Sequence, residues 1–301
     1  MDSPLSNATT TTKSIGLVAG WGRYPIVVAE AIKRHGHKVY CAAIKDHADP
    51  VLQEVCDGFR WLGVAKFGGQ LRFFRRNQVQ HAVLAGKIFK DKVFFHGLPW
   101  IKHFPDLLCI RTLFQHLITK TKDMKDDTLL GAGVTQAAKH GVRFAPATDF
   151  APELLVKNKT LTQRRVSRSE MKDIQFGWTL AHEMARLDVG QSVVIKGRVP
   201  IAVEALEGTD KCILRAGKLC PQGGLTVVKV AKPNQDMRFD VPTIGLGTLR
   251  TMVESGARVL AIEADKTIVL DESLVVDFAN HHRITIVAVN ESWFAQVHAA
   301  A

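Results

Sequence analysis

No run of apolar residues in this 301-residue chain approaches the ~20 that a membrane-crossing helix requires, so any work at a bilayer is done from outside its hydrocarbon. Cysteine is scarce. The five present (Cys41, Cys56, Cys109, Cys212, Cys220) are odd in number and form no C-x-x-C pair, which argues against a disulfide framework or a cysteine-rich zinc site and for free thiols in a reducing cytoplasm. Acidic residues are the minority, 29 against 40 Lys and Arg. The resulting formal charge of +11 would attract nucleic acid, an anionic bilayer surface or a phosphorylated small molecule. No RNP, zinc-finger or helix-turn-helix signature accompanies that charge, so a nucleic-acid partner is not expected. The first thirteen residues, MDSPLSNATTTTK, lack the apolar centre of a secretory signal and read as a disordered Ser/Thr-rich leader. What remains is a globular composition, 46% hydrophobic and 23% charged, at a length that suits two domains.

The first half alternates strand and helix. Ser14–Ala19 reads as a buried strand running into Gly20-Trp21-Gly22-Arg23-Tyr24-Pro25 and an apolar-periodic helix through Ile32. Gly20 and Gly22 allow close backbone approach to a ligand, and Pro25 suits the first turn of a helix whose free N–H groups can hold an anion. A dinucleotide fingerprint would place a third glycine where Pro25 stands, which disfavours a nicotinamide enzyme; a tight turn with no ligand fits the same residues. Strands follow at Lys38–Ile44, Gly58–Val64 and His81–Ala85, the last ending at Gly86-Lys87. There the amine of Lys87 could meet an anion across the sheet from Gly22, or simply be solvated. Residues 90–116 are aromatic and basic, consistent with a helix core or a surface for lipid chains or bases. Asp126-Asp127 heads a helix, Thr128–His140, before a short strand at Val142–Phe144. The expectation is a Rossmann-like, doubly wound parallel sheet over 14–150.

Residues 151–168 read as a basic linker, followed by a second α/β domain over 169–301. It opens with an amphipathic helix, Ser169–Leu187, in which the adjacent His182 and Glu183 face different ways and make no metal pair. A hairpin at Ser192–Ile195 and Val199–Ala205 leads into Glu204–Asp210. There two carboxylates and the Thr209 hydroxyl around Gly208, Asp210 among them, could face a ligand or a hydrated cation, or merely stabilise a turn. The densest polar set follows a strand at Thr226–Val230: Lys229, Lys232, Asn234, Gln235, Asp236, Arg238 and Asp240, then Pro242, Thr243 and Gly245. Pro233 and Pro242 forbid an uninterrupted helix between them, so this is a loop leaving a strand end. Asp236 and Asp240 offer hard oxygens suited to Mg2+ or Mn2+, and Lys229, Lys232 and Arg238 can neutralise phosphate oxygens. The set fits phosphoryl chemistry, and it also fits a structural bridge within the loop.

The runs AGWGRYP (19–25), VLAGK (83–87), DIQFGW (173–178), LDVGQSVV (187–194), AVEALEGTD (202–210) and VKVAKPNQDMRFDVPTIG (228–245) resemble the LpxI family of UDP-2,3-diacylglucosamine pyrophosphatases over nearly the whole chain after the leader. The resemblance implies a two-domain enzyme of lipid A synthesis, cytoplasmic, peripheral to the inner membrane and homodimeric. Its ligand would lie in the interdomain cleft. With a divalent metal, water would attack the α-phosphorus of UDP-2,3-diacylglucosamine to give UMP and 2,3-diacylglucosamine 1-phosphate (lipid X). It implies Asp236 and Asp240 as catalytic and metal-binding carboxylates; Lys232 and Arg238 join them as catalytic candidates and Asp210 as a further metal candidate on the chemistry of the residues themselves. Gly20, Gly22, Pro25, Lys87, Thr209, Lys229, Gln235 and Thr243 are then the substrate contacts. Trp21 stands where a glycine is common in the family. The alternative is a non-catalytic protein that retains a phospholipid or nucleotide sugar.

Overall fold

Near-continuous apolar runs at Ser14–Ala19, Lys38–Ile44 and His81–Ala85 are largely buried on both faces, and that pattern selects a parallel sheet covered by helices. The computed structural model describes residues 12–88, 104–118, 126–233 and 235–294. Most of the expected leader, Asn234 and residues 89–103 of the aromatic basic segment lie outside the described residues, as do the side chains of Asp126 and Asp127. Among the described residues β1 (Ser14–Ala19), β2 (Lys38–Ile44), β3 (Gly58–Leu62), β4 (His81–Ala85) and β5 (Arg143–Phe144) form a parallel sheet in the order β3-β2-β1-β4-β5. Helices α1 (Tyr24–Arg34), α2 (Leu52–Val55), α3 (Phe67–Arg76), α4 (Leu107–Ile118) and α5 (Asp126–Lys139) connect the strands. Val18, Ala42, Ile44 and Ala82 meet Leu71 and Phe74 of α3 and Val134 and Ala137 of α5 in one core cluster. The order in which strands are added reverses between β1 and β4, and such a switch point opens a crevice at the carboxyl ends of the strands.

The chain divides into two units: one runs to Pro152 and takes in Met237–Phe239, the other comprises 153–236 and the chain from Asp240 onward. The second unit holds β6 (Lys159–Thr160), α6 (Arg168–Arg186), β7 (Ser192–Lys196), β8 (Val199–Val203), α7 (Thr209–Leu219), β9 (Leu225–Lys229), β10 (Thr243–Ile244), α8 (Leu246–Glu254), β11 (Ala257–Glu263), β12 (Ile268–Val269), α9 (Glu272–His281) and β13 (Thr285–Val289). Six of these strands form a mixed sheet, β6-β13-β11-β9-β7-β8, with β9, β11 and β13 parallel. Period-2 alternation sorts its side chains into two cores. Val193, Ile195, Val228, Val259 and Val287 face Ile174, Ala181 and Met184 of α6. Val194, Val227, Leu260, Ile262 and Ile286 face Cys212 and Ile213 of α7, Leu249 and Met252 of α8, and Val275 of α9.

The stretch expected as a basic linker is woven into this unit. Lys159–Thr160 pairs antiparallel with β13, Leu154 and Val156 are buried, and Arg164 donates to Thr285 Oγ1 at 2.7 Å. The ion pairs Lys157–Asp265 and Lys159–Glu272 are solvent-exposed and each worth only about 0–1 kcal/mol. Backbone pairing and apolar burial therefore hold the segment. Ser167 and Glu170 form a reciprocal capping box that starts α6.

A further departure is α7. Thr209 and Asp210, expected in a turn, open an eleven-residue helix whose Cys212, Ile213 and Ala216 reach the core. Gly208, at φ +84°, makes the break before it. The hairpin between β7 and β8 turns at Gly197 and Arg198, both at positive φ, and buried Asp173 of α6 accepts from both backbone N–H groups at 3.0 and 2.6 Å. The conspicuous aspartate of the DIQFGW run is thus a turn-holding residue. Asp173→Ala should destabilise the fold by about 1–3 kcal/mol in urea unfolding, since it strands two donors, while Asp173→Asn should lose less.

Candidate functional site

The first unit's glycine turn sits at the switch point between β1 and β4. Gly20 N–H donates to Ala85 O at 2.8 Å, Trp21 N–H to Lys87 O at 2.8 Å, and Lys87 N–H back to Trp21 O at 3.0 Å. The backbones of 20–21 and 86–87 thus form one locked piece. A Cβ on Gly20 would lie 2.7 Å from Lys87 O, so the close approach this glycine permits is to the neighbouring turn. Gly22 is different: at φ +106° its missing Cβ would meet nothing within 4 Å. Pro25 is buried in the first turn of α1, and Lys87 is exposed beside the turn. Gly22 and Lys87 therefore share one strand-end surface, with Gly20 and buried Pro25 as its support.

In the second unit the carboxyl ends of β8 and β9 and the start of β7 converge, and buried polar side chains collect there. Lys229 is only 7% exposed; its ammonium donates to Thr209 Oγ1 and to Thr243 O, each at 3.3 Å. Thr209 Oγ1 donates to Glu204 Oε1 at 3.2 Å and lies 3.1 Å from Ser192 Oγ. Glu204 is buried, and its other oxygen, Oε2, meets no hydrogen-bond partner among the described residues. Its main chain is held by a close approach of Gly190, where a Cβ would fall 2.1 Å from Glu204 O. The geometry thus unites Lys229, Thr209 and Thr243. It adds Glu204, which heads the carboxylate-bearing stretch 204–210, and Ser192, which no local pattern singled out as a ligand contact.

The loop after β9 is held in steps. Val230 N–H donates to Gln191 O at 3.0 Å, Ala231 N–H to Glu263 Oε2 at 2.7 Å, and Lys232 N–H to Gln235 Oε1 at 2.9 Å. The Lys232 ammonium reaches Asp188 at 2.7 Å, and the Arg238 guanidinium lies over the Phe239 ring at 5.0 Å. Asp240 N–H closes a turn on Asp236 O at 3.0 Å, so the two aspartates stand on one turn, Asp240 exposed and Asp236 half-buried. Asp210 lies instead in the first turn of α7 and accepts from Thr248 Oγ1 at 3.0 Å. Among the described residues no three His, Cys, Asp or Glu side chains gather as a metal-ligand group, so the expected trio of Asp210, Asp236 and Asp240 is not assembled. The pair on one turn still suits a hard divalent cation, because Mg2+ is commonly held by one or two carboxylates, waters and the substrate's phosphates.

All five cysteines are free thiols. No helix among the described residues is long and apolar enough to cross a membrane.

Comparison with known proteins meets this geometry at three points. The LpxI N-terminal domain model matches residues 14–154 and the LpxI C-terminal domain model residues 157–287. UDP-2,3-diacylglucosamine pyrophosphatase LpxI of Caulobacter vibrioides is 26% identical over 287 residues, covering 92% of this chain and 98% of the relative. The two domain models follow one another in chain order and part within a few residues of the boundary at Pro152 seen in the structure; the chain belongs to the LpxI family.

Proposed function

We propose that this protein hydrolyses UDP-2,3-diacylglucosamine at the α-phosphorus, releasing UMP and 2,3-diacylglucosamine 1-phosphate in lipid A synthesis. The observation that carries the reading is the near end-to-end match to a relative named for that pyrophosphatase activity. The buried Lys229 ammonium at the strand ends, held by Thr209 Oγ1 and Thr243 O, supports it, because a fixed cation suits an anionic phosphoanhydride.

In this reading a water oxygen bonds to the α-phosphorus while the bond from that phosphorus to the bridging oxygen breaks. The departing phosphate leaves on lipid X. Asp236 or Asp240 accepts the proton of the attacking water, and Lys232 and Arg238 face the charge that builds on the phosphoryl oxygens. Lys229, Thr209, Gln235 and Thr243 hold substrate, and Gly22 and Lys87 are assigned to its anionic groups, with Gly20 and Pro25 shaping the turn that presents them. Asp236 and Asp240 would hold Mg2+ or Mn2+, which supplies charge neutralisation at the phosphates when bound. Asp210, tied to Thr248 on another element, is left out of that pair. We place the protein in the cytoplasm, as a homodimer peripheral to the inner membrane whose substrate is an acylated UDP-sugar.

Purified protein given UDP-2,3-diacylglucosamine in detergent with Mg2+ or Mn2+ should release UMP, followed by chromatography. Tight retention of the lipid with no UMP under either ion would overturn hydrolysis and favour a binding role.

A further inference from the structure

Glu263 ends β11 as a buried carboxylate, 5% exposed, in the sheet that carries Lys229. Pairing between β9 and β11 stops at Ile262 opposite Lys229. Two residues later the main chain has left the ladder, and Ala231 N–H donates to the Glu263 side chain at 2.7 Å. A side chain thus takes over from the sheet at the first residue of the loop that leads through Lys232 to Asp236 and Asp240. The second oxygen of Glu263 is held by Lys266 at 2.8 Å, and His182 Nε2 of α6 stands 3.9 Å from the first. Burial pushes the His182 pKa below the ordinary imidazole value against the opposing pull of the Glu263 carboxylate, so near neutral pH Lys266 is the standing counter-ion. A carboxylate this buried, with one oxygen spent on a loop amide and the other on a lysine, is costly to keep unless its position matters.

We propose that Glu263 is a positioning residue for the hydrolysis, fixing through the Ala231 amide the path of the loop that carries Asp236 and Asp240; this rests on the proposed function above. The geometry makes a specific demand: the loop needs an acceptor at this place, and the negative charge is secondary. Glu263→Gln keeps an acceptor oxygen and Glu263→Ala removes it. Misplacing reacting groups by about 1 Å costs on the order of 100-fold in rate, so Glu263→Ala should lose about 10- to 100-fold in kcat with KM changed less than about twofold. Glu263→Gln should stay within about threefold of wild type.

The test pairs UMP-release kinetics of wild type, Glu263→Gln and Glu263→Ala with amide hydrogen exchange across residues 228–236 and with thermal unfolding of each protein. Wild type should show the Ala231 amide protected to the level of Val230, and Glu263→Ala should lose that protection while the β11 amides keep theirs. An unprotected Ala231 amide in wild type, wild-type kcat in Glu263→Ala, or equal losses of kcat in Glu263→Ala and Glu263→Gln would overturn the proposal. The exchange measurement on wild type stands even if Glu263→Ala does not fold. Failure of wild type to release UMP overturns the hydrolase reading instead, and the exchange data then report separately on the pinning of the loop.

Discussion

Asp236→Ala and Asp240→Ala, each made singly, are expected to lower UMP release by about 10²- to 10⁴-fold, the range for losing a group that moves a proton or organises the reacting oxygens. Neither side chain belongs to a core cluster, and the two stand on one turn closed by the Asp240 N–H bond to Asp236 O. Asp240 is exposed, and substitutions at exposed positions usually change stability by less than about 0.5 kcal/mol. The thermal midpoint of Asp240→Ala should therefore hardly move while turnover collapses, and half-buried Asp236→Ala should lose no more than about 1–3 kcal/mol of stability. Titrating Mg2+ or Mn2+ against each variant separates their roles: a carboxylate that binds the ion raises the concentration needed for half-maximal rate, whereas one that takes the proton lowers the plateau. Full turnover in both variants would remove the pair from catalysis.

Gly86→Ala should destabilise the first unit strongly. Gly86 sits at φ +89°, where an L-residue is strained, and its Cβ would fall 2.8 Å from Gly20 C, Pro25 Cγ and Trp21 O together. Two of those three atoms are main chain in the locked pair of turns, so no side chain can swing aside to relieve the crowding. The backbone penalty of about 1 kcal/mol adds to an overpacking cost of about 1–3 kcal/mol. A loss of about 2–4 kcal/mol in urea unfolding is expected. Gly22→Ala offers the contrast, since its Cβ enters open space and only the backbone term applies. It should unfold within about 1 kcal/mol of wild type, so any large loss of substrate affinity there reports contact with the ligand.

The strands were legible because their signal is local. The short, mostly apolar runs at 14–19, 38–44, 226–230 and 285–289 survive in the structure as strands buried on both faces, and the Gly-Arg hairpin turn was visible in Lys196-Gly197-Arg198. The helix α7 was not legible. Its start carries Thr209 and Asp210, residues equally at home in a turn, and its apolar stripe of Cys212, Ile213 and Ala216 is short. The strand at 159–160 was hidden by lysines and arginines because an edge strand needs only backbone groups and tolerates charge. Asp210 looked like a partner for Asp236 and Asp240 because all three are aspartates in polar segments, yet it is engaged by Thr248 on a different element.

By itself the sequence determined the alternation of strand and helix, the glycine turn after β1, the polar loop after β9 and, through its motif runs, the family. Those are properties of residues close together in the chain, where spacing alone dictates which side a group faces. Tertiary structure decided which groups keep company. Antiparallel pairing of β7 with β8 and β9 brings Ser192, Glu204, Thr209 and Lys229 to one sheet end, and parallel pairing of β9 with β11 places Glu263 against Ala231 across a separation of 32 residues. It also decided that Gly20 serves the neighbouring turn and Asp173 a hairpin, because close packing lets an identical residue type answer to whatever main chain lies opposite.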